Sequence, residues 1–219
     1  MTTLVLNTLS ANRRADVVAA VYALERADDP LPLTALRALA EPALREVVEQ
    51  VLAAAGRVLV KAGAGFLSAY DDQIAGRLAD EGAGVLRRED RAVLTLVLLF
   101  SVAIPRAEGK IPSDAPWTRA RPVSRERLGD TKLSGTRIRV SLQRLQDAGI
   151  VRAVHGGLIP GPQFYRLTPA MSTALFEELI LLAEPEGALA DSIRRRRRAR
   201  ATVVPNGTGE QQGGYEASV

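Results

Sequence analysis

The stretch of sequence that decides the fold is PVSRERLGDTKLSGTRIRVSLQRLQDAGIVR, residues 122–152. Ser124 is placed to cap a short helix, and a turn at 133–135 separates this helix from a longer one at 136–148. In the longer helix three apolar side chains recur at helical spacing, Ile138, Leu142 and Leu145. Gly149 ends the helix, and a strand follows directly. The order helix, turn, helix, hairpin predicts a helix-turn-helix with a wing, a module that usually binds DNA or another protein.

The side of the longer helix opposite its apolar stripe is rich in basic and amide side chains. Such residues near the start of the helix suit phosphates and base edges in a major groove, and residues on a wing commonly follow the adjacent backbone. The same arginines also fit a protein-binding face or an ordinary solvated surface. We predict that eight residues contact DNA: Arg125, Lys132, Arg137, Arg139, Gln143, Arg144, Arg152 and His155.

The distribution of charge supports a contact with nucleic acid in this stretch. Residues 105–155 carry 11 Lys or Arg against 5 Asp or Glu, a net charge of +6, whereas the whole chain carries +4. Residues 1–104 carry 11 basic against 13 acidic residues, and residues 156–219 carry 7 of each. The positive charge is therefore concentrated in residues 105–155, and the first half is slightly acidic.

The composition excludes several kinds of functional site. The chain has no cysteine, which rules out disulfides and thiolate metal ligands, and a single histidine makes a zinc or haem site hard to build. Aromatic residues make up 4% of the chain, too few for base stacking as the main way of binding nucleic acid. The nucleotide-binding motif GxxxxGK and the hydrolase motifs HExxH and GxSxG are missing. We therefore expect no catalytic residues, no metal and no cofactor, and a protein that is not an enzyme.

The first residues show no basic stretch followed by an apolar core, so we expect no signal peptide. The longest apolar run, residues 92–104, is shorter than the roughly 20 residues that a bilayer span needs. We expect this run to form a buried core helix. The expected location is the cytoplasm, in association with the nucleoid.

The first half of the sequence repeats the same order of elements. A helix that Asn12 caps is followed by a short helix at 33–40, a third helix that begins at Pro42 and a hairpin at 57–70. Asp71 is placed to cap a further helix. The first helix is expected to bury a broad face made of Val17, Val18, Val21, Tyr22 and Leu24.

We therefore predict a mainly α fold with small β-hairpin wings, an α+β protein with tandem winged-helix domains. The N-terminal winged helix spans residues 1–82. The C-terminal winged helix spans residues 85–183 and contains an insertion at 105–121. Residues 184–219 are predicted to be a disordered tail, which is basic at first and then rich in Gly and Gln.

The two predicted recognition helices differ in charge. The exposed side of the third helix in the first half carries acidic residues that would repel phosphate, Glu41, Glu46 and Glu49. The first half is therefore predicted to serve dimerisation or partner binding. In the last helix before the tail, the residues expected on one buried face are Leu175, Leu179 and Leu182.

Tandem winged helices of about this length resemble the kite proteins, which partner the kleisin of bacterial SMC complexes. REDRAVLTLVLL at 88–99 and PVSRERL at 122–128 are similar to the second winged helix of the ScpB segregation and condensation proteins, and AGIV at 148–151 is similar to the end of their recognition helix. FYRLTP at 164–169 resembles their second wing strand running into the closing helix. The insertion at 105–121 is closer to the MukE type and to the kite subunit of Wadjet anti-plasmid systems.

This resemblance implies a homodimer that binds a kleisin and, through it, an SMC ATPase. It also implies non-specific contact with double-stranded DNA, in plasmid defence of the Wadjet type or in condensin-like chromosome segregation. The alternative is a transcription or replication regulator that binds DNA through its second winged helix alone. A regulator would use the first half for ligand or dimer contacts. The basic run at 194–198 fits either a non-specific DNA contact or a solvated tail.

Overall fold

The computed structural model describes residues 6–203 and is mainly helical with small antiparallel sheets, so the predicted α+β class is confirmed. The first half contains α1 (Ala11–Arg26), β1 (Leu31–Pro32), a 3-10 turn (Leu33–Ala35), α2 (Arg37–Ala40), α3 (Pro42–Ala54), β2 (Arg57–Ala62), β3 (Gly65–Tyr70) and α4 (Asp72–Asp80). The second half contains α5 (Arg88–Leu98), a π-helical turn (Leu99–Ala103), α6 (Ile104–Ala107), α7 (Arg125–Gly129), α8 (Gly135–Asp147), β4 (Val151–Val154), β5 (Gly157–Pro160), a 3-10 turn (Pro162–Arg166), α9 (Pro169–Ala183) and α10 (Ala188–Val203).

The first half packs α1, α2 and α3 on an antiparallel sheet of order β1-β3-β2. Its core contains Val17, Ala20, Leu24, Leu39, Leu44, Val48 and Leu52. In the sheet, β1 pairs Leu31 with Phe66 and Pro32 with Gly65. A Cβ at Gly65 would lie 2.8 Å from the carbonyl oxygen of Leu31, so the close approach of β1 requires glycine there.

The sequence-based prediction for α1 needs two corrections. The helix begins at Ala11 rather than after a cap at Asn12. Val18 and Tyr22 do not belong to the buried face, because their side chains are 53% and 59% exposed. The core positions are spaced by three and four residues and include Ala20, whereas Val18 and Tyr22 share the opposite side of the helix.

The second half begins with a nearly continuous helix from α5 to α6. Pro105 has no N–H to donate to the carbonyl of Ser101, one turn earlier, and the chain forms its π-helical turn at this point. The Ser101 carbonyl accepts a hydrogen bond from the Arg121 backbone N–H instead, at 2.9 Å. The predicted insertion at 105–121 therefore begins inside α6, and its last residue, Arg121, is hydrogen-bonded to the π-helical turn that precedes α6.

In the second half, Val123 pairs with the edge of the hairpin at the position of a third strand. Val123 exchanges two backbone hydrogen bonds with Leu158 of β5, of 3.0 and 2.9 Å, while β5 pairs with β4 on its other side. A Cβ at Gly157 would lie 2.2 Å from the Val123 carbonyl oxygen, so this pairing requires glycine. The order Val123, β5, β4 repeats the order β1, β3, β2 of the first half.

Both halves thus share one arrangement of helix, strand, two helices and hairpin. The second core is formed by α5, α7, α8 and the hairpin, and contains Val93, Val97, Val123, Leu128, Ile138, Leu142, Leu145, Val151 and Leu158. Phe164 to Arg166, predicted to lie in the second wing strand, lie instead in a 3-10 turn, because β5 is the strand that closes the hairpin.

Arg166, in that 3-10 turn, joins the two halves. Its two terminal nitrogens donate to four carbonyl oxygens of the first half: Leu24 at 3.3 Å, Glu25 at 3.0 Å, Ala27 at 2.7 Å and Ser68 at 2.5 Å. The first two belong to the last turn of α1, where carbonyls have no partner within the helix. Arg166 therefore caps a helix of the other half with a positive charge at its negative end.

The segment predicted as an insertion is anchored by Trp117, which is 4% exposed. The Trp117 ring lies 5.6 Å from that of Phe164, the Arg106 guanidinium lies 4.9 Å above it, and its Nε1–H donates to Ser172 Oγ at 2.7 Å. Burial lowers the pKa of Arg106 from its ordinary value, and nearby Asp114 opposes this effect. The segment is thus part of the core formed with α9.

The prediction of a disordered tail from residue 184 is wrong for residues 188–203, which form α10. Ile193 is fully buried, and the buried carboxylate of Glu177 accepts hydrogen bonds from Arg196 at 3.3 Å and from Arg197 at 2.9 Å. The Gly/Gln-rich part at 204–219 lies outside the described residues.

In α9, Leu182 is 62% exposed, contrary to prediction, and Ile180 is buried instead. Within the described chain no helix is long and apolar enough to cross a membrane.

Candidate nucleic-acid interface

The candidate interface is built on α7 and α8, which two serine caps delimit. Ser124 Oγ accepts a hydrogen bond from the Arg127 backbone N–H at 3.3 Å, as predicted, and Ser134 Oγ accepts one from the Arg137 backbone N–H at 3.4 Å. The predicted apolar stripe of α8 is buried, with Ile138, Leu142 and Leu145 each 5% exposed or less. This burial fixes the rotation of α8, so that its outward ridge consists of Thr136, Val140, Gln143 and Asp147.

The predicted DNA-binding arginines of α8 lie on the two flanks of this ridge, and Gln143 lies on the ridge itself. Arg139 and Gln143 border a groove between α8 and α7, with Arg125 on the other wall. Arg137 and Arg144 border a shallower depression between α8 and the start of α5, which Arg87 and Glu89 complete. The structure therefore brings together two groups of the predicted residues rather than one continuous row.

The remaining predicted residues lie outside these two groups. Arg152 is exposed on β4, His155 is exposed at the hairpin turn, and Lys132 is exposed in the loop before α8. In the described residues none of the three forms an ion pair. Their charged or polar groups are accordingly available to a partner outside the chain.

Arg144 differs from the other predicted residues because its guanidinium is already paired. Its Nε donates to Asp90 at 2.9 Å and its Nη2 donates to the same carboxylate at 2.6 Å, and Asp90 is 4% exposed. The hydrogen bond from Arg144 holds the pKa of Asp90 below its ordinary value, against the opposite effect of burial, with further support from Ser141 and Arg87. Arg144 therefore fastens α8 to α5, and its part in any DNA contact stays a prediction.

The prediction omitted basic residues beside the hairpin turn. Lys110, Arg121 and Arg127 line a depression of about 530 Å³ that reaches Gly156 of the turn. Lys110 pairs with Glu108 at 2.6 Å, and Arg127 lies 4.7 Å above the Phe100 ring, whereas no hydrogen bond or ion pair of the Arg121 side chain occurs among the described residues. All three belong to the +6 segment, so its net charge was a signal that pointed to them.

The corresponding surface of the first half has the opposite character. Glu41 of that half pairs with Arg13 at 3.1 Å, and Arg45 donates to the Leu39 carbonyl at 3.1 Å. Glu46 and Glu49 stay exposed on α3, and neither carboxylate forms an ion pair within residues 6–203. This exposed face of α3 would repel a phosphate backbone.

In residues 6–203 no group of three or more His, Cys, Asp or Glu side chains is arranged to hold a metal ion. Compared with models of known protein families and with curated protein sequences, the chain matches none.

Proposed function

We propose that this chain is a tandem winged-helix protein that works, without catalysing a reaction, as the kite subunit of a bacterial SMC–kleisin complex. The proposal includes association with the nucleoid and a role in Wadjet-type plasmid defence or condensin-like chromosome segregation. The observation that supports it most is the repeated arrangement of helix, strand, two helices and hairpin, with the same strand order in both halves. Two such units in one chain, one acidic and one basic on the corresponding helix, fit a subunit that binds a protein and DNA at once.

The proposed homodimer would use the first half. Val18 and Tyr22 are large apolar side chains that α1 leaves exposed, and Ala15 and Ala19 beside them are exposed as well. Such an exposed apolar patch suits a contact with a second copy. The acidic face of α3 leaves the first half unsuited to DNA and therefore free for protein partners.

Co-expression with a candidate kleisin from a neighbouring gene tests the kite assignment. We expect a complex that survives gel filtration at moderate salt and contains two copies of this chain by light scattering. Separate elution of the two proteins would exclude the assignment. A monomer of the chain alone at tens of micromolar would exclude the proposed homodimer.

The proposed DNA contact is mainly with phosphates, because the arginines flank the ridge of α8 rather than occupy its centre. Each neutralised phosphate contributes about −0.9 to the slope of log K against log salt concentration. Replacing Arg137 and Arg139 together by alanine should therefore flatten the slope by roughly 2. The matched control removes two exposed arginines elsewhere, Arg77 and Arg91, and should leave the slope unchanged.

The DNA binding of the basic helix α10 has to be eliminated in this measurement, because α10 could bind DNA by itself. Truncation is unsuitable, since α10 buries Ile193. Exchange of its outward-facing residues Arg195, Arg198 and Arg200 for glutamine removes the arginines that form no ion pair within residues 6–203 and keeps those that pair with Asp191 and Glu177. An unchanged salt slope in this background would mean that the α8 face does not bind DNA. That result would also exclude the alternative, a regulator that binds DNA through its second half alone, which the basic flanks of α8 otherwise favour.

A further inference from the structure

The groove between α7 and α8 has the form of a peptide site. It has a volume of about 370 Å³, and its floor is made by Ile138 and Leu142. Its rim is polar or basic, with Arg125 on α7 and Arg139, Gln143 and Gln146 on α8. An apolar floor with a charged rim suits an apolar side chain held between polar neighbours, whereas a phosphate would find hydrogen-bond donors only at the rim.

Two glycines keep this groove open. Gly129 is the last residue of α7 and Gly135 is the first residue of α8, and both line the groove. Neither has a positive φ, and a Cβ added at either position would meet no atom within 4 Å. The chain itself therefore needs glycine at neither position, although glycine weakens a helix relative to alanine. The space that a larger side chain would fill is open to a ligand.

The positive charge of the rim favours an acidic ligand. Among the described residues neither Arg125 nor Arg139 forms an ion pair. The carboxylate of Asp147, on the same side of α8, accepts a hydrogen bond from Gln143 at 2.8 Å. Two unpaired guanidinium groups on opposite walls of an apolar groove complement carboxylates on either side of an apolar residue.

We propose that this groove binds an acidic peptide segment of a partner protein, which places one apolar side chain on Ile138 and Leu142. Carboxylates on either side of that residue pair with Arg125 and Arg139. The assignment of a peptide site does not depend on the kite proposal. Since Arg125 and Arg139 also belong to the proposed DNA contact, peptide and DNA compete for them, and this second part rests on the proposed function.

A set of labelled peptides tests the site with the full chain. The probe is a fluorescein-labelled peptide with a central leucine and two glutamates on each side, measured by fluorescence anisotropy. One control peptide replaces the glutamates by lysines, and another replaces the leucine by glycine. We expect the glycine control to bind about tenfold or more weakly, because burial of a leucine side chain is worth at least that factor. The lysine control should also bind more weakly, because its ammonium groups would lie beside the guanidinium groups of Arg125 and Arg139. Equal binding of all three peptides would overturn the proposal.

Variants of the groove locate the binding. Gly129→Leu and Gly135→Leu fill it and should each weaken binding of the glutamate peptide by about tenfold. Gly76→Leu is the matched control, since Gly76 of α4 also has no positive φ and no atom within 4 Å of an added Cβ. Arg139→Glu, at an exposed position, should shift the preference towards the lysine peptide. Wild-type affinity in both groove variants, or an equal loss in Gly76→Leu, would overturn the proposal.

Competition with duplex DNA separates this inference from the proposed function. DNA that displaces the glutamate peptide from the wild type supports both. Peptide binding that depends on the groove but resists excess DNA supports the peptide site and counts against DNA contact by Arg125 and Arg139. DNA binding without any binding of the glutamate peptide at millimolar concentration overturns the peptide site alone.

Discussion

Replacement of Arg166 by alanine should weaken the attachment of the two halves to each other. The change removes four hydrogen bonds to carbonyls of Leu24, Glu25, Ala27 and Ser68. A hydrogen bond from a charged donor contributes about 1.5–3 kcal/mol, but the four share one partly exposed group and water can replace some of them. We therefore expect a loss of about 3 kcal/mol in the free energy of unfolding, which corresponds to roughly 6–12 °C in Tm for a chain of this size.

The assay is urea unfolding followed by two signals. Trp117 is the only tryptophan and lies in the second half, so its fluorescence reports that half, whereas far-UV circular dichroism reports the whole chain. The wild type should give coincident transitions, and Arg166→Ala should separate them. The free energy of unfolding of Arg166→Lys should lie between those of the wild type and Arg166→Ala, because one ammonium group cannot reach all four carbonyls. The matched control is Arg152→Ala, an exposed arginine. A loss below about 1 kcal/mol, or coincident transitions in Arg166→Ala, would refute this role of Arg166.

Two further predictions concern buried carboxylates. The lowered pKa of Asp90 means that its contribution to stability is complete at neutral pH and is lost as the pH falls below about 4. In urea unfolding, Asp90→Asn should therefore lose less stability than the wild type between pH 6 and pH 3. Equal losses in the two proteins would contradict the pairing of Asp90 with Arg144. Glu177→Gln should release α10 from α9 and speed hydrogen exchange of the α10 amides, whereas Glu178→Gln, at a side chain 66% exposed, should change it little. Similar exchange in both variants would mean that the buried carboxylate does not hold α10.

The elements that the sequence predicted well are those whose signals are local. Asp71 accepts hydrogen bonds from two backbone N–H groups of α4, as expected of a cap, and Gly149 ends α8 with a φ of 67°. The hairpin at 57–70 was predicted from two strand-like segments and the glycines between them, and β2 and β3 pair there as expected. In each of these cases the residues that decide the structure lie within a few positions of one another.

The elements that were missed depend on distant partners. α10 contains a run of arginines that resembles a solvated tail, and its order depends on Glu177, which lies 20 residues before Arg197. The pairing of Arg144 with Asp90 joins positions 54 residues apart. Periodicity places Arg144 on the margin of the exposed face of α8, but only the packing of α8 on α5 decides which way its guanidinium turns.

The opposite charges of α3 and α8 limit what a chain of this shape can bind. The two helices occupy equivalent positions in the repeated arrangement, yet α3 exposes Glu46 and Glu49 while α8 is flanked by Arg137 and Arg139. Arg166 ties the two halves together, so the acidic face moves with the basic one rather than independently of it. A polyanion held on α8 therefore cannot use α3 as a second contact of the same kind. This difference in charge is consistent with the proposed kite subunit, in which the first half would bind protein partners and the second half DNA.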